Sequence, residues 1–340
     1  MNITFFELED WEKEYVRKEL KGNKILFIDR PLDKKIAKKI DSTEIAACFI
    51  YSKINKDVIK ALPLLKFIST MSTGYDHIDL EECKNKKVKV CNVPTYGENT
   101  VAEHTFALIL SLSRKVPESI ERTKKGNFSL DGIRGFDLKD KTLGVIGSGN
   151  IGQHVIRIAK GFEMNVICSD PIAEKKPEFK KLAKKIGFKF VSLNDLMKKS
   201  DILTLHCPHN KYTHHLINKK NINHLKKGVY IVNTARGELI ETEALLEGLK
   251  KGIIAGAGLD VLEGENYIRE EKQLLHKKFQ SECDLNTIYE DHMLISQDNV
   301  LITPHNAFNS KEALYRILDT TIENIKAFVK KKKLVNEVKV

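Results

Sequence analysis

The stretch Leu143-Gly144-Val145-Ile146-Gly147-Ser148-Gly149-Asn150-Ile151-Gly152 runs from a short apolar segment into a glycine-rich turn. The apolar part reads as a buried strand and residues 153–162 as a helix. Gly147 allows a tight turn, Gly149 lets the backbone approach a large anionic group, and Gly152 lets the helix pack close to the strand. The helix that starts there offers unpaired N–H groups and the positive end of its dipole. An acid, Asp170, closes the next apolar run at 165–168. Strand, glycine turn, helix, strand and acid together predict a dinucleotide site, with the pyrophosphate at the helix start and the acid on the adenosine ribose. A carboxylate there repels a 2′-phosphate, so the expected cofactor is NAD, although Lys175 and Lys176 follow closely.

Outward from this turn, short apolar runs alternate with amphipathic stretches. Toward the N-terminus they lie at 3–8, 24–28, 45–51, 65–70 and 88–92, with helical patterns at 10–20 and 57–62 between them. Toward the C-terminus they lie at 143–146, 165–168, 202–206, 229–233, 254–260 and 300–303. Such alternation argues for parallel sheets covered on both faces. The expected class is α/β with two doubly wound parallel-sheet domains, the larger a Rossmann domain at 99–308 inserted into a flavodoxin-like substrate domain at 1–98 and 309–340. A helical pattern at 99–114 enters the inserted part, and one at 311–329 returns the chain to the first domain. No residue pattern is shared between the halves.

The length of 340 residues suits two domains with a ligand cleft between them. Hydrophobic content of 41% and charged content of 30% are globular proportions. No apolar run nears the roughly 20 residues of a membrane span, and Met1-Asn2-Ile3-Thr4 opens no signal-peptide pattern, so a cytoplasmic protein with no membrane partner is expected. Cys48, Cys83, Cys91, Cys168, Cys207 and Cys283 form no CxxC pair and read as reduced thiols. The net charge of +11 comes from lysines interleaved with acids, so nucleic acid is not expected as a partner. Only Lys330-Lys331-Lys332-Lys333 forms a block, read as a solvated tail after the last helix.

Four strand ends beyond the glycine turn carry polar residues: His206-Cys207-Pro208, Asn233-Thr234-Ala235-Arg236-Gly237, Asp260 to Glu265, and Thr303-Pro304-His305-Asn306. Ligands of open α/β sheets bind outside such ends. Hydride transfer to a 2-oxo acid places charge on the carbonyl oxygen. It asks for a proton donor, a cation for the oxygen and carboxylate, and an acid that keeps the donor charged. His305, Arg236 and Glu265 supply one each.

The segments Ser72 to Asp79, Asn92-Val93-Pro94, Val101-Ala102-Glu103-His104, the glycine loop, Asn233 to Gly237 and Pro304-His305 resemble, in order and over essentially the whole chain, those of the D-isomer-specific 2-hydroxyacid dehydrogenase family. The resemblance implies that Arg236 binds and polarises the substrate, Glu265 tunes the histidine, and His305 is the acid–base. It implies cofactor contacts at Gly147, Gly149, Asn150, Ile151, Gly152, Asp170, Cys207, Pro208, Thr213, Thr234, Ala235, Arg236 and Asp260. Thr73 and Gly74 match the loop whose N–H groups hold the substrate carboxylate, and Tyr96 a side chain over the substrate. Asn92 to Tyr96, the long stretch between Glu265 and His305, and Phe308 bring the chain nearest to the D-lactate-dehydrogenase-like branch; Asn309 departs from it, since a further aromatic often stands there. The expected partner is a small 2-oxo or 2-hydroxy acid, and the helix at 99–114 suits a homodimer interface as well as core packing.

Other readings carry less. His206, His209, His214 and His215 suggest a metal site, but His206 closes a strand and residues 205–218 resemble the family's ordinary cofactor-side loop, so no metal is expected. His292 beside Glu290 and Asp291 imitates an acid–base pair inside the charged 266–299 segment and reads as surface. The same chemistry would suit a glyoxylate, hydroxypyruvate or 3-phosphoglycerate dehydrogenase, although the chain ends soon after the return helix and no regulatory domain of the phosphoglycerate kind is expected. A formate-type enzyme is disfavoured by the acid at Glu265, where that branch has an amide. A non-catalytic NAD-sensing scaffold or co-repressor on the same fold is the alternative of another class.

Overall fold

In the computed structural model, which describes residues 1–265 and 285–339, the alternating runs become two parallel sheets of five and seven strands. Cys283 and the 266–284 part of the charged segment lie outside the described residues. The chain divides into two units, Met1–Tyr96 with Asn309–Val340, and Gly97–Phe308.

The first unit alternates β1 (Asn2–Phe6), α1 (Asp10–Glu19), β2 (Lys24–Ile28), α2 (Lys34–Ala37), β3 (Ile45–Cys48), α3 (Lys56–Ala61), β4 (Phe67–Thr70), α4 (Leu80–Asn85) and β5 (Lys89–Cys91). The strand order is β2-β1-β3-β4-β5, the flavodoxin-like order. β3 and β4 are buried along their whole length; β3 accordingly reads as an unbroken apolar run, whereas β4 ends in the buried polar residues Ser69 and Thr70.

The second unit opens with α5 (Glu98–Arg114) and α6 (Val116–Lys124). There follow β6 (Thr142–Ile146), α7 (Asn150–Gly161), β7 (Asn165–Ser169), α8 (Pro177–Ile186), β8 (Lys189–Phe190), α9 (Leu193–Lys199), β9 (Ile202–Leu205), β10 (Val229–Asn233), α10 (Thr242–Lys250), β11 (Ile254–Leu259), α11 (Leu285–Ile295) and β12 (Val300–Ile302). The order β12-β11-β10-β9-β6-β7-β8 reverses direction between β6 and β9, the switch point at which doubly wound sheets bind ligands. Leu143, Val145 and Ile202 are fully buried in the core between sheet and helices, each such side chain contributing about 1.5–3 kcal/mol.

The chain then returns to the first unit as α12 (Lys311–Val329), which buries Ile317, Leu318, Ile322 and Ile325 and stacks Phe328 on Phe67 of β4 at 4.5 Å. The lysines at 330–333 are exposed as expected, but the residues after them correct the reading of a loose tail. Val338 N–H donates to Val90 C=O (2.8 Å), Asn92 N–H donates to Asn336 C=O (3.2 Å), and Cys91 pairs antiparallel with Glu337. Residues 334–338 thus cover the open edge of β5, with Leu334 and Val338 buried.

Candidate active site

Gly147 has a φ of +95°, and a Cβ on it would stand 2.6 Å from the His206 carbonyl, so this turn lies against the end of β9. A Cβ on Gly152 would meet the Gly147 carbonyl at 2.1 Å, which is why α7 can enter so close to β6. Gly149 differs: a Cβ there would meet nothing within 4 Å, and its φ is −63°. It needs to be glycine only if something else occupies that space. Gly149 is the N-cap of α7, no side chain caps the helix, and no acid lies in its first turn. By contrast, Asp33, Asn55, Asp79, Ser192 and Ser310 cap their helices. The α7 N-terminus, which begins at Asn150 rather than 153, therefore presents uncompensated N–H groups to an anion. Asn150 is exposed at this start, its amide donating to Glu98, while Ile151 packs against the core behind it.

Asp170 stands beside this helix start. Its Oδ2 accepts from the N–H and the hydroxyl of Ser148 (2.8 and 2.9 Å), and Oδ1 from Ala173 N–H (2.9 Å). Burial alone would raise this carboxyl, but these hydrogen bonds outweigh it and hold the group below its ordinary value. Asp170 thus stays ionised at neutral pH. Ser148, a variable position of the glycine motif, is the residue that locks acid and loop together, and the glycine spacing alone gave no sign of it.

Farther along the same edge, His305 Nδ1 is 2.6 Å from Glu265 Oε1. His305 holds a left-handed φ of +52°, and the loop carrying it is fastened by Asp260. That carboxylate, 1% exposed, accepts from Thr303 Oγ1 (2.5 Å), Asn306 N–H and Ala307 N–H (both 2.9 Å), with His104 Nε2 at 3.5 Å. Burial pushes Asp260 up and these donors, His104 first, bring it below its ordinary value. Asp260, expected on the cofactor, has both oxygens engaged in holding the histidine loop.

Arg236 sits on a turn pinned from inside by Asn233. The Asn233 side chain, on a residue 1% exposed, donates to Arg236 C=O (2.8 Å) and accepts from Ala235 N–H (3.0 Å). A Cβ on Gly237 would stand 2.1 Å from Leu262, so the Arg236 turn lies directly against the turn that carries Glu265. Three strand ends therefore bring Arg236, Glu265 and His305 to one edge of the larger sheet.

The remaining expected contacts fall around this edge. Cys207 is half-buried, and burial pushes its thiol up to about 11. Thr213 Oγ1 closes the next loop by donating to Pro208 C=O (2.6 Å), and buried Thr234 faces Thr105 of α5 at 3.0 Å. Burial holds His206 down to about 3, and His215 pairs with Glu263 at 2.5 Å. Among the described residues no group of three or more His, Cys, Asp or Glu could hold a metal ion. His292 is exposed as expected, but Asp291 is fully buried on α11: one oxygen accepts from Gly264 N–H (3.2 Å), and burial pushes its carboxyl up to about 7.

In the first unit, the loop after β4 is held by its carbonyls. Val93 N–H donates to Ser72 C=O (3.0 Å), Asn92 Nδ2 to Thr73 C=O (2.8 Å), and Ser72 Oγ to Gly74 C=O (2.6 Å). Among the described residues no acceptor takes the Thr73 or Gly74 N–H. A loop with its acceptors used and its donors unspent is suited to an anion. Tyr96 is half-buried farther on, its carbonyl accepting from Arg316.

Residues 106–307, well over half of the chain, match the profile described as D-isomer specific 2-hydroxyacid dehydrogenase, NAD binding domain. The chain belongs to the D-isomer specific 2-hydroxyacid dehydrogenase family. This dehydrogenase is accordingly an NAD-dependent oxidoreductase interconverting 2-oxo acids and D-2-hydroxy acids. It is 33% identical to D-lactate dehydrogenase of Escherichia coli over 99% of this chain and 100% of that one. It is 39% identical to an aromatic 2-oxoacid reductase of Clostridium sporogenes over 78% of this chain and 76% of that protein. The crystal structure of D-lactate dehydrogenase from Aquifex aeolicus, complexed with NAD and lactic acid, is similar with a TM-score of 0.87 at 36% identity, covering 99% of each chain. The residues present in the dehydrogenase fit NAD: an uncapped helix start, the empty face of Gly149 and an ionised Asp170. No helix of the described residues is long and apolar enough to cross a membrane.

Proposed function

We propose that this dehydrogenase reduces pyruvate and similarly small 2-oxo acids to the D-2-hydroxy acid, as the names of its D-lactate dehydrogenase relatives indicate for them. The observation that carries the reading is the His305–Glu265 pair at 2.6 Å, held on a loop that Asp260 fastens. NADH, when bound, supplies the hydride that C2 of the oxo acid receives. With Nδ1 engaged by Glu265, His305 has Nε2 left to give the carbonyl oxygen its proton. Arg236, whose Nη1 donates to the Ala235 carbonyl (2.8 Å), is assigned to the substrate carboxylate or carbonyl oxygen, a role for which the planar guanidinium fork is suited. Thr73 and Gly74 offer N–H groups to the carboxylate, and Tyr96 covers the substrate.

The cofactor contacts are assigned to the glycine loop, Asn150, Ile151 and Asp170, with Cys207, Pro208, Thr213, Thr234, Ala235 and Asp260 lining or supporting the nicotinamide side. The first unit is the substrate domain and the second the NAD domain. Among the described residues the cysteines Cys48, Cys83, Cys91, Cys168 and Cys207 are free thiols, the first four buried, which suits a reducing cytoplasm. A homodimer belongs to the same reading. α5 is largely consumed by core packing, whereas Val116, Ile120, Phe128 and Leu130 expose apolar side chains, the last two 79% and 80% exposed.

The test is a steady-state screen of NADH oxidation with pyruvate, phenylpyruvate, 2-oxoisocaproate, glyoxylate and hydroxypyruvate. Pyruvate is expected to give the highest kcat/KM and phenylpyruvate a lower one. A preference for phenylpyruvate would move the enzyme toward aromatic oxo acids, and turnover of none would remove the catalytic reading in favour of a scaffold.

A further inference from the structure

A chain of amides behind the Thr73-Gly74 loop runs from the end of β5 to α12 and the 334–338 segment. Asn92 Nδ2 donates to Thr73 C=O (2.8 Å), Asn324 Nδ2 donates to Asn92 C=O (3.0 Å), and Asn336 Nδ2 donates to Asn324 Oδ1 (3.0 Å). Asn92 N–H returns a bond to Asn336 C=O (3.2 Å), closing a ring through β5, α12 and the 334–338 segment. Asn324 is 4% exposed on the inner face of α12, a costly place for an amide with no partners. Its orientation is determined, because a flipped amide would set oxygen against the Asn92 carbonyl and NH2 against the Asn336 NH2.

Peptide planarity carries this ring to the ligand side of the loop. Thr73 C=O and Gly74 N–H belong to one rigid trans unit and point opposite ways. Whatever holds the carbonyl aims the N–H. The neighbouring unit is fixed in the same manner, because Val93 N–H grips Ser72 C=O and thereby directs Thr73 N–H.

We propose that Asn324 and Asn336 are positioning residues for the substrate carboxylate, acting through Asn92 to fix the direction of the Gly74 N–H. The inference rests on the proposed role of Thr73 and Gly74 in substrate binding. It extends the substrate site to residues of α12 and the 334–338 segment, neither of which supplies an atom to the ligand. The interaction being set is uniform binding of a carboxylate, present before and during reduction, so its loss falls on KM rather than on kcat.

The experiment compares KM for pyruvate, KM for NADH, kcat and Tm in the full-length enzyme and in Asn92→Ala, Asn324→Ala, Asn336→Ala, Gly74→Pro and Lys89→Ala. Lys89→Ala removes the ion pair with Glu337 (3.3 Å), loosening the same terminal segment without touching the amide chain. Loss of a hydrogen bond that orients a binding donor is worth about a tenfold rise. That rise is expected in the pyruvate KM of Asn92→Ala and Asn324→Ala, with a smaller one in Asn336→Ala. The NADH KM should stay within about twofold throughout, because a chain of this kind should couple only to the group it orients. Asn324→Ala combined with Asn336→Ala should add nothing to Asn324→Ala alone, since both cut one chain. Lys89→Ala should leave the pyruvate KM unchanged. Should the Asn324 variant fail to fold, the half-buried Asn336 decides alone. An unchanged pyruvate KM in the Asn324 and Asn336 variants, with Gly74→Pro raised, overturns the positioning role and leaves the loop's role standing. Gly74→Pro folded and unchanged overturns the loop's role itself.

Discussion

His305 Nδ1 and Glu265 Oε1 stand 2.6 Å apart, although forty residues separate them in the chain. The bond leaves Nε2 as the only ring nitrogen available to a substrate and fixes the plane of the ring. His305→Gln is expected to lower kcat for pyruvate reduction by about 10²–10⁴-fold with little change in NADH affinity. Glu265→Gln keeps the shape and removes the charge, so its loss should be smaller. Stopped-flow reduction with NADH fluorescence titration separates the two quantities, and unimpaired turnover in His305→Gln would end the proposed chemistry.

Gly149 and Gly152 should respond to alanine in opposite ways. A Cβ at Gly152 collides with the Gly147 carbonyl at 2.1 Å, so Gly152→Ala is expected to lower Tm together with NADH binding. A Cβ at Gly149 meets only open space, so Gly149→Ala should melt like the parent and lose at least about tenfold in NADH affinity, the steric cost falling on the bound pyrophosphate alone. Equal NADH affinity in Gly149→Ala would place the phosphates elsewhere.

Asp170→Ala removes the proposed acceptor for the ribose hydroxyls and, with it, the charge expected to repel a 2′-phosphate. The ratio of kcat/KM for NADH over NADPH should fall by about tenfold or more, helped by Lys175 and Lys176 nearby. Because hydrogen bonds hold the Asp170 carboxyl below its ordinary value, the parent's preference for NADH should stay constant from pH 7 to 9, above the range in which a 2′-phosphate itself titrates. A preference that declines across that range would contradict an ionised Asp170.

Asp291 makes a prediction of opposite sign to that of most carboxylates. Burial raises it to about 7 from an ordinary 3.8, so the folded chain binds the proton more tightly than the unfolded one. Between those two values stability falls as pH rises, and above about 7 the whole penalty is present. Asp291→Asn should therefore raise Tm at pH 8, by an amount on the order of a few kcal/mol in stability. The advantage should shrink as pH falls toward 4. Thermal melts at pH 4, 5, 6 and 8 test it; an advantage independent of pH would assign the effect to packing instead.

Phe128→Glu combined with Leu130→Glu places charge on two side chains that are about four-fifths exposed. Sedimentation velocity is expected to show a dimer for the parent and a monomer for the double variant, with Tm of the isolated protomer little altered. A parent that sediments as a monomer would refute the proposed assembly.

The glycine loop was legible in sequence because backbone geometry demands glycine at Gly147 and Gly152, whatever the rest of the fold does. The two sheets were legible because strands such as β3 and most of β6 are buried on both faces and so appear as short apolar runs. Helices α8 and α9 are short, but Phe179, Leu182, Ala183 and Ile186 of α8 do fall at helical spacing and Ser192 caps α9, so both carried a local signal beneath their lysines, whereas α6 buries no residue at all. The pairing of residues 334–338 with β5 has no sequence signal, because nothing local announces a partner more than two hundred residues away. Asp291 was hidden by its neighbours: between Glu290 and His292 it reads as one more surface charge, and only the way α11 packs turns it inward. Arg236, Glu265 and His305 were separable from ordinary polar residues only by resemblance to a family, because three side chains scattered over seventy positions carry no period.

The covered edge of β5 has a consequence for how the protein is made. The first unit needs residues 309–338, and the whole second unit lies between its two pieces. On a ribosome, the sheet from β1 to β5 emerges without the helix that packs on β4 and without the segment that closes its border, while the second unit, being continuous, can complete its own core first. The cofactor domain would then be competent before the loop at Thr73 and Gly74 has its backing. Truncations that stop short of α12 should accordingly still bind NADH and bind no oxo acid, an ordering of assembly written into the chain by the place at which one domain interrupts the other.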